Sequence, residues 1–379
     1  MTTNRNTTID VTKGLGIILV VLGHNWIVWH DKGELFRVIF SFHMPLFFFL
    51  AGIFIRSSDG IMRFVTTRAS ALLKPYFVIL LFLGVFDLLA AILRNKPDVH
   101  GFEYFMGILY GTGNTIVWIP LWFLPHLFIS STIALILLKA FEAKVSSKVW
   151  LAFSAALLLI IGIYFVDASW QPDATGTYIP GVKGLPGLPW SIDLAPITTS
   201  FIIFGYLLGE HTKSMVFNKN GLLVSVLVFI SLHYFFDHTI DLNERMYSDP
   251  IVSTLQVAMG IYITISVASL LQEFPFFSKP LAYMGSGSLF ILIFHSALQG
   301  KVFWRLSQIS TNLYLNGLAS IVASILLSLL LWEIAKRQKY VAKLLLPSKS
   351  HSLPAVQIQT PSSTAFNEWR QTQEDTREP

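Results

Sequence analysis

Residues 10–24 read Asp10-Val11-Thr12-Lys13-Gly14-Leu15-Gly16-Ile17-Ile18-Leu19-Val20-Val21-Leu22-Gly23-His24, an apolar run with a lysine near one end and a histidine at the other. The eleven residues from Lys13 to His24 turn an α-helix through about 1100°, three turns plus roughly 20°, and rise about 16 Å. Lys13 and His24 therefore share one helix face, separated by about half the hydrocarbon thickness of a bilayer. An ionisable side chain carried to that depth is costly and by default marks a functional site. Asp10 falls about 40° off the same face.

The composition places this run in a membrane. The chain of 379 residues is 53% hydrophobic and 13% charged, with a mean hydropathy of +0.60. A soluble domain carries about 25% charged residues. Apolar stretches of spanning length recur at roughly 12–30, 36–56, 69–93, 117–138, 149–166, 193–210, 221–236, 251–272, 285–304 and 313–335. The expectation is an all-α polytopic membrane protein of about ten transmembrane helices. Residues 1–11 form its N-terminal segment, 12–340 the membrane domain, and 341–379 a disordered tail rich in Ser, Thr, Pro and Gln. The first run lacks a small-residue cleavage site and carries His24 and Asn25, so it reads as retained rather than as a signal peptide. The sequence has no cysteine, which excludes disulfides, thiolate metal sites and cysteine nucleophiles.

The basic residues sit in short loops, so the isoelectric point near 9.2 speaks for membrane orientation rather than for nucleic acid. One set of loops holds Arg56, Arg63, Arg68 and Lys74, then Lys139, Lys144 and Lys148, then Lys213 and Lys219, then Lys279, and the tail start adds Lys336, Arg337, Lys339, Lys343 and Lys349. The alternate set is sparser, with Lys32, Arg37, Arg94, Lys96, Lys183, Arg245, Lys301 and Arg305. Positive residues concentrate on the cytoplasmic side, which predicts both termini there. Two longer outer loops, 167–192 and 237–250, are rich in Gly and Pro and in polar acidic residues respectively, and both are able to reach over the outer mouth of the bundle.

Five histidines fall within the predicted spans. At about 1.5 Å per residue, His24, His43, His126 and His295 all come out roughly 9–14 Å below the outer surface, and His233 lies nearer to it. Four imidazoles at one depth suggest a polar chamber. A membrane histidine also serves to tie helices together by donating to a facing carbonyl, which is the simpler reading for His126 and His233. For His43, followed by Pro45 with its freed carbonyl, both readings stand. His24, in register with Lys13, reads as functional. No His-x3-His pair lies within a span, so no metal site is expected. At the cytoplasmic entry to the third span, Arg63, Arg68 and Lys74 offer guanidinium forks and an ammonium suited to phosphate, although positive-inside orientation alone also accounts for them. Asp87, inside that span, is a candidate proton acceptor or partner for a cation.

These residues resemble the membrane-bound acyltransferase family 3, the ten-span enzymes that O-acylate bacterial surface glycans and other small acceptors. The cation, ten residues and then histidine of the first span are matched by Lys13 and His24, with Lys where Arg is common. The stretch Ser41-Phe-His-Met-Pro-Leu-Phe-Phe-Phe-Leu-Ala-Gly52 is similar to a second family block. Pro75-Tyr76, Leu121-Trp-Phe-Leu124 and Gly285-Ser-Gly-Ser-Leu289 leading to His295 match later ones. Leu188-Pro-Trp-Ser-Ile-Asp193 with Gly205-Tyr206 resembles the fucose acetylase-like and exopolysaccharide branch. Arg63 and Arg68 stand five apart, wider than the family's Arg pair. The resemblance implies acetyl-CoA as donor, held by Arg63, Arg68 and Lys74, and a glycan or lipid-linked oligosaccharide hydroxyl as acceptor. His24 would act with Lys13, while His43 and His295 orient the acceptor or stabilise the oxyanion. Trp170, Tyr178 and Trp190 would offer flat faces to sugar rings, and Asp87 would contribute to substrate binding. The expected setting is the bacterial inner membrane, beside polysaccharide-synthesis machinery. A proton-coupled secondary transporter of a small polar or glycan-related solute is the rival reading, weakened by the lack of visible similarity between the two halves of the chain.

Overall fold

The Asn6 side chain accepts the Ile9 N–H and caps α1 (Thr7–Gly23), so the helix begins ahead of the expected start at residue 12 and ends well before 30. In this computed structural model residues 6–93, 101–142, 147–169, 187–236 and 239–347 are described. Beyond His24 the chain restarts as α2 (Trp26–Asp31), capped by the Asn25 side chain, and turns through Lys32 in the left-handed region (φ 45°) into α3 (Glu34–Phe40). A break at Ser41–Phe42 separates α3 from α4 (His43–Gly52).

The third segment is longer than the apolar run alone suggests. Helices α5 (Ile61–Arg68) and α6 (Lys74–Leu93) join through one π turn at Ala69–Leu73 into a single candidate span, Ile61–Leu93. Pro75 explains the wide turn. It has no N–H for the carbonyl four residues back and its ring would crowd that carbonyl, and a π turn relieves both. The extra residue also rotates Lys74 relative to Arg63, so the two, eleven positions apart, do not share the face that an unbroken α-helix would give them.

The chain continues through α7 (Gly101–Tyr110), α8 (Phe123–Glu142), entered by a 3₁₀ turn at Ile119–Trp122, and α9 (Lys148–Ser169). A second 3₁₀ turn, Pro189–Leu194, leads into α10 (Ala195–Lys213), followed by α11 (Lys219–Phe235). A two-stranded hairpin of β1 (Ile240–Asp241) and β2 (Met246–Tyr247) precedes α12 (Val252–Leu271). Last come α13 (Pro275–Ser286), α14 (Ser288–Ser307), α15 (Leu313–Arg337) and α16 (Lys339–Leu345). Helix α16 lies within the stretch from 341 that the composition marked as tail. It docks on α6, where Lys74 Nζ donates to the carbonyls of Lys343 and Leu346 (2.9 and 2.5 Å).

Seven helices among the described residues are long and apolar enough to cross a membrane. The pair α13 and α14, bent by 81° at Gly287, meets the same test together, as a broken span or a re-entrant loop. Helices α1 and α11 have 17 residues each, about 25 Å of rise, at the lower end of the spanning range. The fold is therefore the expected all-α polytopic one. Asn6 Nδ2 donates to the Lys213 carbonyl and Thr8 Oγ1 to Gln272 Oε1, while Pro347 lines a cavity with Lys13. The first and last described residues thus lie at one end of the bundle.

At the opposite end a polar clamp seats the hairpin. Arg245, in the left-handed region (φ 56°) and 5% exposed, donates from Nε to Asp193 Oδ2 (3.0 Å) and from Nη2 to Ser191 Oγ (3.1 Å). Asp193 also accepts the Leu188 N–H, and Trp190 and Ser191 beside it take positive φ values of 54° and 53°. Ile240, Leu242 and Tyr247 are buried and press the hairpin onto the helices. Both charges of the pair are almost wholly desolvated, with side chains 1% and 0% exposed. Removing one partner of such a pair costs about 3–5 kcal/mol because the other is left buried and uncompensated. Arg245→Met is expected to lower the thermal midpoint and to release hydrogen-exchange protection in 188–193 and 240–247 together. The double variant Arg245→Met, Asp193→Leu should recover part of the loss. Unchanged protection in the single variant would mean that the hairpin is held by its apolar contacts alone.

Candidate active site

Four residues on one face of α1, Lys13, Ile17, Val20 and His24, follow the i, i+4, i+7, i+11 spacing of a helical stripe. Lys13, Ile17 and Val20 line a cavity of about 330 Å³. Val20 and His24 line a second of about 280 Å³. Val20, Met44, Phe123 and Leu292 belong to the walls of both, so the two cavities abut across a septum of four apolar side chains. The face shared by Lys13 and His24 thus runs along both chambers.

The histidines divide into two groups by their hydrogen bonds. His24 Nδ1 lies 2.9 Å from the Val20 carbonyl, and His43 Nδ1 lies 2.9 Å from that of Ile39. His295 Nδ1 lies 2.9 Å from both the Ile291 and Leu292 carbonyls. A carbonyl only accepts, so in each ring Nδ1 carries the proton and Nε2 keeps its lone pair. The rings of His24 and His295 meet edge to face, 5.3 Å between centroids, and His295 Nε2 is buried without a hydrogen-bond partner among the described residues. His43 is 1% exposed and lines the second cavity with His24. His126 differs. Its Nδ1 donates to the Trp190 carbonyl at 3.3 Å while Nε2 accepts from Thr198 Oγ1 at 3.0 Å, so it ties α8 to α10 as a buried strut. His233 Nε2 meets Glu34 Oε2 at 2.5 Å and links α11 to α3.

The cations separate as well. Arg68 lines the first cavity with Lys13, whose Nζ lies 4.4 Å above the Phe54 ring. Lys74 turns to α16, and Arg63 lies exposed on α5, so the structure joins only Arg68 of this group to Lys13. Ser286, Ser288 and Gly285 of the bend add polar edges to the same cavity. Asp87 lies exposed in a groove between α6 and α7 with Glu103 and Tyr104, away from both cavities, whereas Asp10 and Asp193 are buried. Trp190 turns inward, donating from Nε1 to the Leu109 carbonyl (2.8 Å), and presents no face to either cavity. Trp170 and Tyr178 lie outside the described residues. No group of three or more His, Asp or Glu suited to a metal occurs among the described residues.

Sequence reading alone did not single out the rest of the second cavity. Its walls include Trp29, Phe40 and Trp122, the Ser296 hydroxyl, and Asp241, Asn243 and Glu244 of the hairpin. Asp241 Oδ1 accepts the Asn243 and Glu244 N–H groups (3.1 and 3.2 Å) and so shapes the turn. Burial pushes the Asp241 carboxyl up to about 6, against the pull of those N–H groups. The only hint in the sequence was the acidic character of the loop 237–250, which carried no register to place it.

An orientable base in one chamber and two cations in the next form an arrangement suited to transfer between a hydroxyl and an anionic donor. No curated protein and no solved structure matches the chain. The acyltransferase domain family of the acyltransferase-3 type matches residues 6–333, nearly the whole described length, and the chain belongs to this family of membrane acyltransferases.

Proposed function

We propose that this acyltransferase moves an acetyl group from acetyl-CoA, entering at the Lys13 end, to a hydroxyl of an exopolysaccharide or other cell-surface glycan bound beside His24. The observation that carries this reading is the stripe Lys13, Ile17, Val20 and His24, which lines two abutting chambers. The first chamber is the right place for the donor. It holds Lys13 and Arg68 for negative charge and is otherwise walled by Phe47, Leu50, Phe54, Leu72 and Leu127. At about 330 Å³ it is at the small end for a ligand site, enough for the acylated arm but not for a whole nucleotide donor. A polar cleft of about 450 Å³ that shares Phe54 with it carries Arg56, Lys148 and Lys213 and offers the nucleotide phosphates a place. Arg63 and Lys74 then serve orientation in the membrane and the docking of α16.

In the second chamber His24 Nε2 takes the acceptor hydroxyl proton as its oxygen attacks the thioester carbonyl carbon. Collapse of the tetrahedral species breaks the carbon–sulfur bond, and the departing thiolate takes the proton from His24. The balance is one ester and one free thiol for one hydroxyl and one thioester. His43, with Nδ1–H already donated to the Ile39 carbonyl, accepts at Nε2 in the chamber wall and so orients a hydroxyl group, while His295, which lines neither cavity, packs edge to face against His24 and holds its ring. In that tautomer they do not stabilise an oxyanion, a role that falls to a donor such as the Ser296 hydroxyl. The family accounts for the polar axis without the transport reading. The setting is the bacterial inner membrane, donor from the cytoplasm and acceptor from the outer face, beside the machinery that builds the polysaccharide.

His24→Ala is expected to remove acetylation of the surface polysaccharide, read by NMR of the purified polymer. Full acetyl content in a well-expressed variant would overturn the assignment. Arg68→Ala should weaken acetyl-CoA binding to the purified protein about tenfold, the scale of a lost charge-assisted hydrogen bond. An unchanged Kd would take Arg68 out of the donor site. Val20→Trp fills the septum, and it should stop transfer by the purified, folded protein. Transfer at the normal rate through a plugged septum would show that donor and acceptor do not meet there.

A further inference from the structure

The hairpin 240–247 brings chemistry into the His24 chamber that the transfer step itself does not use. Asp241 and Glu244 line this chamber together with the ring systems of Trp29, Phe40 and Trp122. Asp241 spends Oδ1 on its own turn, and among the described residues nothing donates to its Oδ2. Glu244 Oε1 accepts from Asn243 Nδ2 (2.9 Å), and its second oxygen has no donor among the described residues. Asn243, which lines the chamber, has a buried Oδ1 with no donor among the described residues. Buried acceptors without donors are costly unless something donates to them. A ligand rich in O–H donors would.

The balance of charge points the same way. Arg245, the cation of the hairpin itself, is locked to Asp193 and donates to the Asn243 carbonyl (2.7 Å), so it is not offered to a ligand. Lys32 lies near enough to favour the ionised form of Asp241, and its Nζ sits 5.6 Å from the Trp29 ring centroid at the rim. Two carboxylates against one rim cation leave the chamber negative. An incoming carboxylate or phosphate would meet repulsion, while neighbouring sugar hydroxyls would form O–H···O⁻ bonds, which are stronger than neutral ones. The aromatic walls suit the apolar face of a pyranose ring.

We infer that the hairpin 240–247 is the acceptor-recognition element of the outer chamber, and that Asp241 and Glu244 select an uncharged sugar with neighbouring hydroxyls over an anionic one. This rests on the acyl-transfer reading proposed above for the role of the chamber, but the selection is a property of binding and is measured without the donor.

The probes are octyl β-D-glucopyranoside and octyl β-D-glucuronide, which share ring and tail and differ in one charged group, titrated calorimetrically into the full chain in nanodiscs near neutral pH. The wild type is expected to bind the neutral probe at least about tenfold more tightly, as a site built on hydrogen-bond acceptors discriminates. The double variant Asp241→Asn, Glu244→Gln should lose about tenfold in affinity for the neutral probe and bring the two within about threefold of each other. Asparagine keeps an Oδ1 acceptor for the turn, and Glu244→Gln alone, at the hairpin tip, should shift the preference in the same direction if the double variant folds poorly. Equal binding of the two probes by the wild type, binding of neither, or an unaltered preference in the variants would overturn the inference. If the preference behaves as stated but acetyl-CoA yields no acetylated glycoside, the acyl-transfer reading fails and the hairpin site stands.

Discussion

A helix that stops inside an apolar bundle must find donors for its last carbonyls, and α1 stops at Gly23. The Val20 carbonyl receives His24 Nδ1, the Val21 carbonyl receives Gln299 Nε2 at 3.0 Å, and the Leu22 carbonyl receives the Asn25 N–H at 3.0 Å. Asn25, 2% exposed, also caps α2 and donates to Gly317 and Ser320 of α15. The Val20 carbonyl takes the His24 backbone N–H at 3.1 Å as well, so the imidazole is its second donor, and that second bond sets the tautomer and aims the Nε2 lone pair. The end of α1 thus orients the candidate base. His43 repeats the arrangement at the break between α3 and α4, where its Nδ1 adds to the backbone donor on the Ile39 carbonyl.

The septum between the chambers depends on how closely the helices cross. Helix α13 lies along α1 with Gly14 and Gly285 facing the partner backbone, so that a Cβ on Gly14 would come within 3.1 Å of Leu281 Cα and one on Gly285 within 3.0 Å of the Asp10 carbonyl carbon. Gly52 of α4 and Gly205 of α10 make the same reciprocal approach, each Cβ falling 2.8 Å from a carbonyl carbon, of Ile202 and Phe49 respectively. Small residues at membrane helix crossings permit backbones to touch and replace the hydrophobic drive that lipid does not supply. With α1 and α4 each pinned from behind, Val20 and Met44 project toward Phe123 and Leu292, and the cavities remain two.

Much of this architecture was legible because hydropathy and helical period are local. The runs 149–166, 251–272 and 313–335 correspond to helices Lys148–Ser169, Val252–Leu271 and Leu313–Arg337 within a few residues. The common face of Lys13 and His24 followed from their spacing, since nothing between them breaks the helix. Three features escaped, each for a stated physical reason. The π turn before Pro75 changed the register of Lys74. Asp87 faces outward on α6, which a single position in an apolar run does not reveal. The hairpin carboxylates reach the site through a long-range ion pair, Arg245 with Asp193, fifty-two positions apart in sequence and invisible to any local pattern.

The apolar septum also bears on a competing reaction. A thioester held beside a basic imidazole and bulk water would hydrolyse, so a productive site must admit the hydroxyl of the acceptor while limiting water. Val20, Met44, Phe123 and Leu292 offer water no hydrogen-bonding side chain, and a passage lined this way disfavours a continuous water file. Met44 is the most adaptable of the four, an unbranched thioether with three rotatable bonds that can yield to an acyl chain and return. The hydrogen-bonding groups of the outer chamber lie on the far side of that wall. Under the proposed reading, the partition keeps the donor apart from the water of the polar chamber, and acceptor recognition by the hairpin lies on the other side of the same wall.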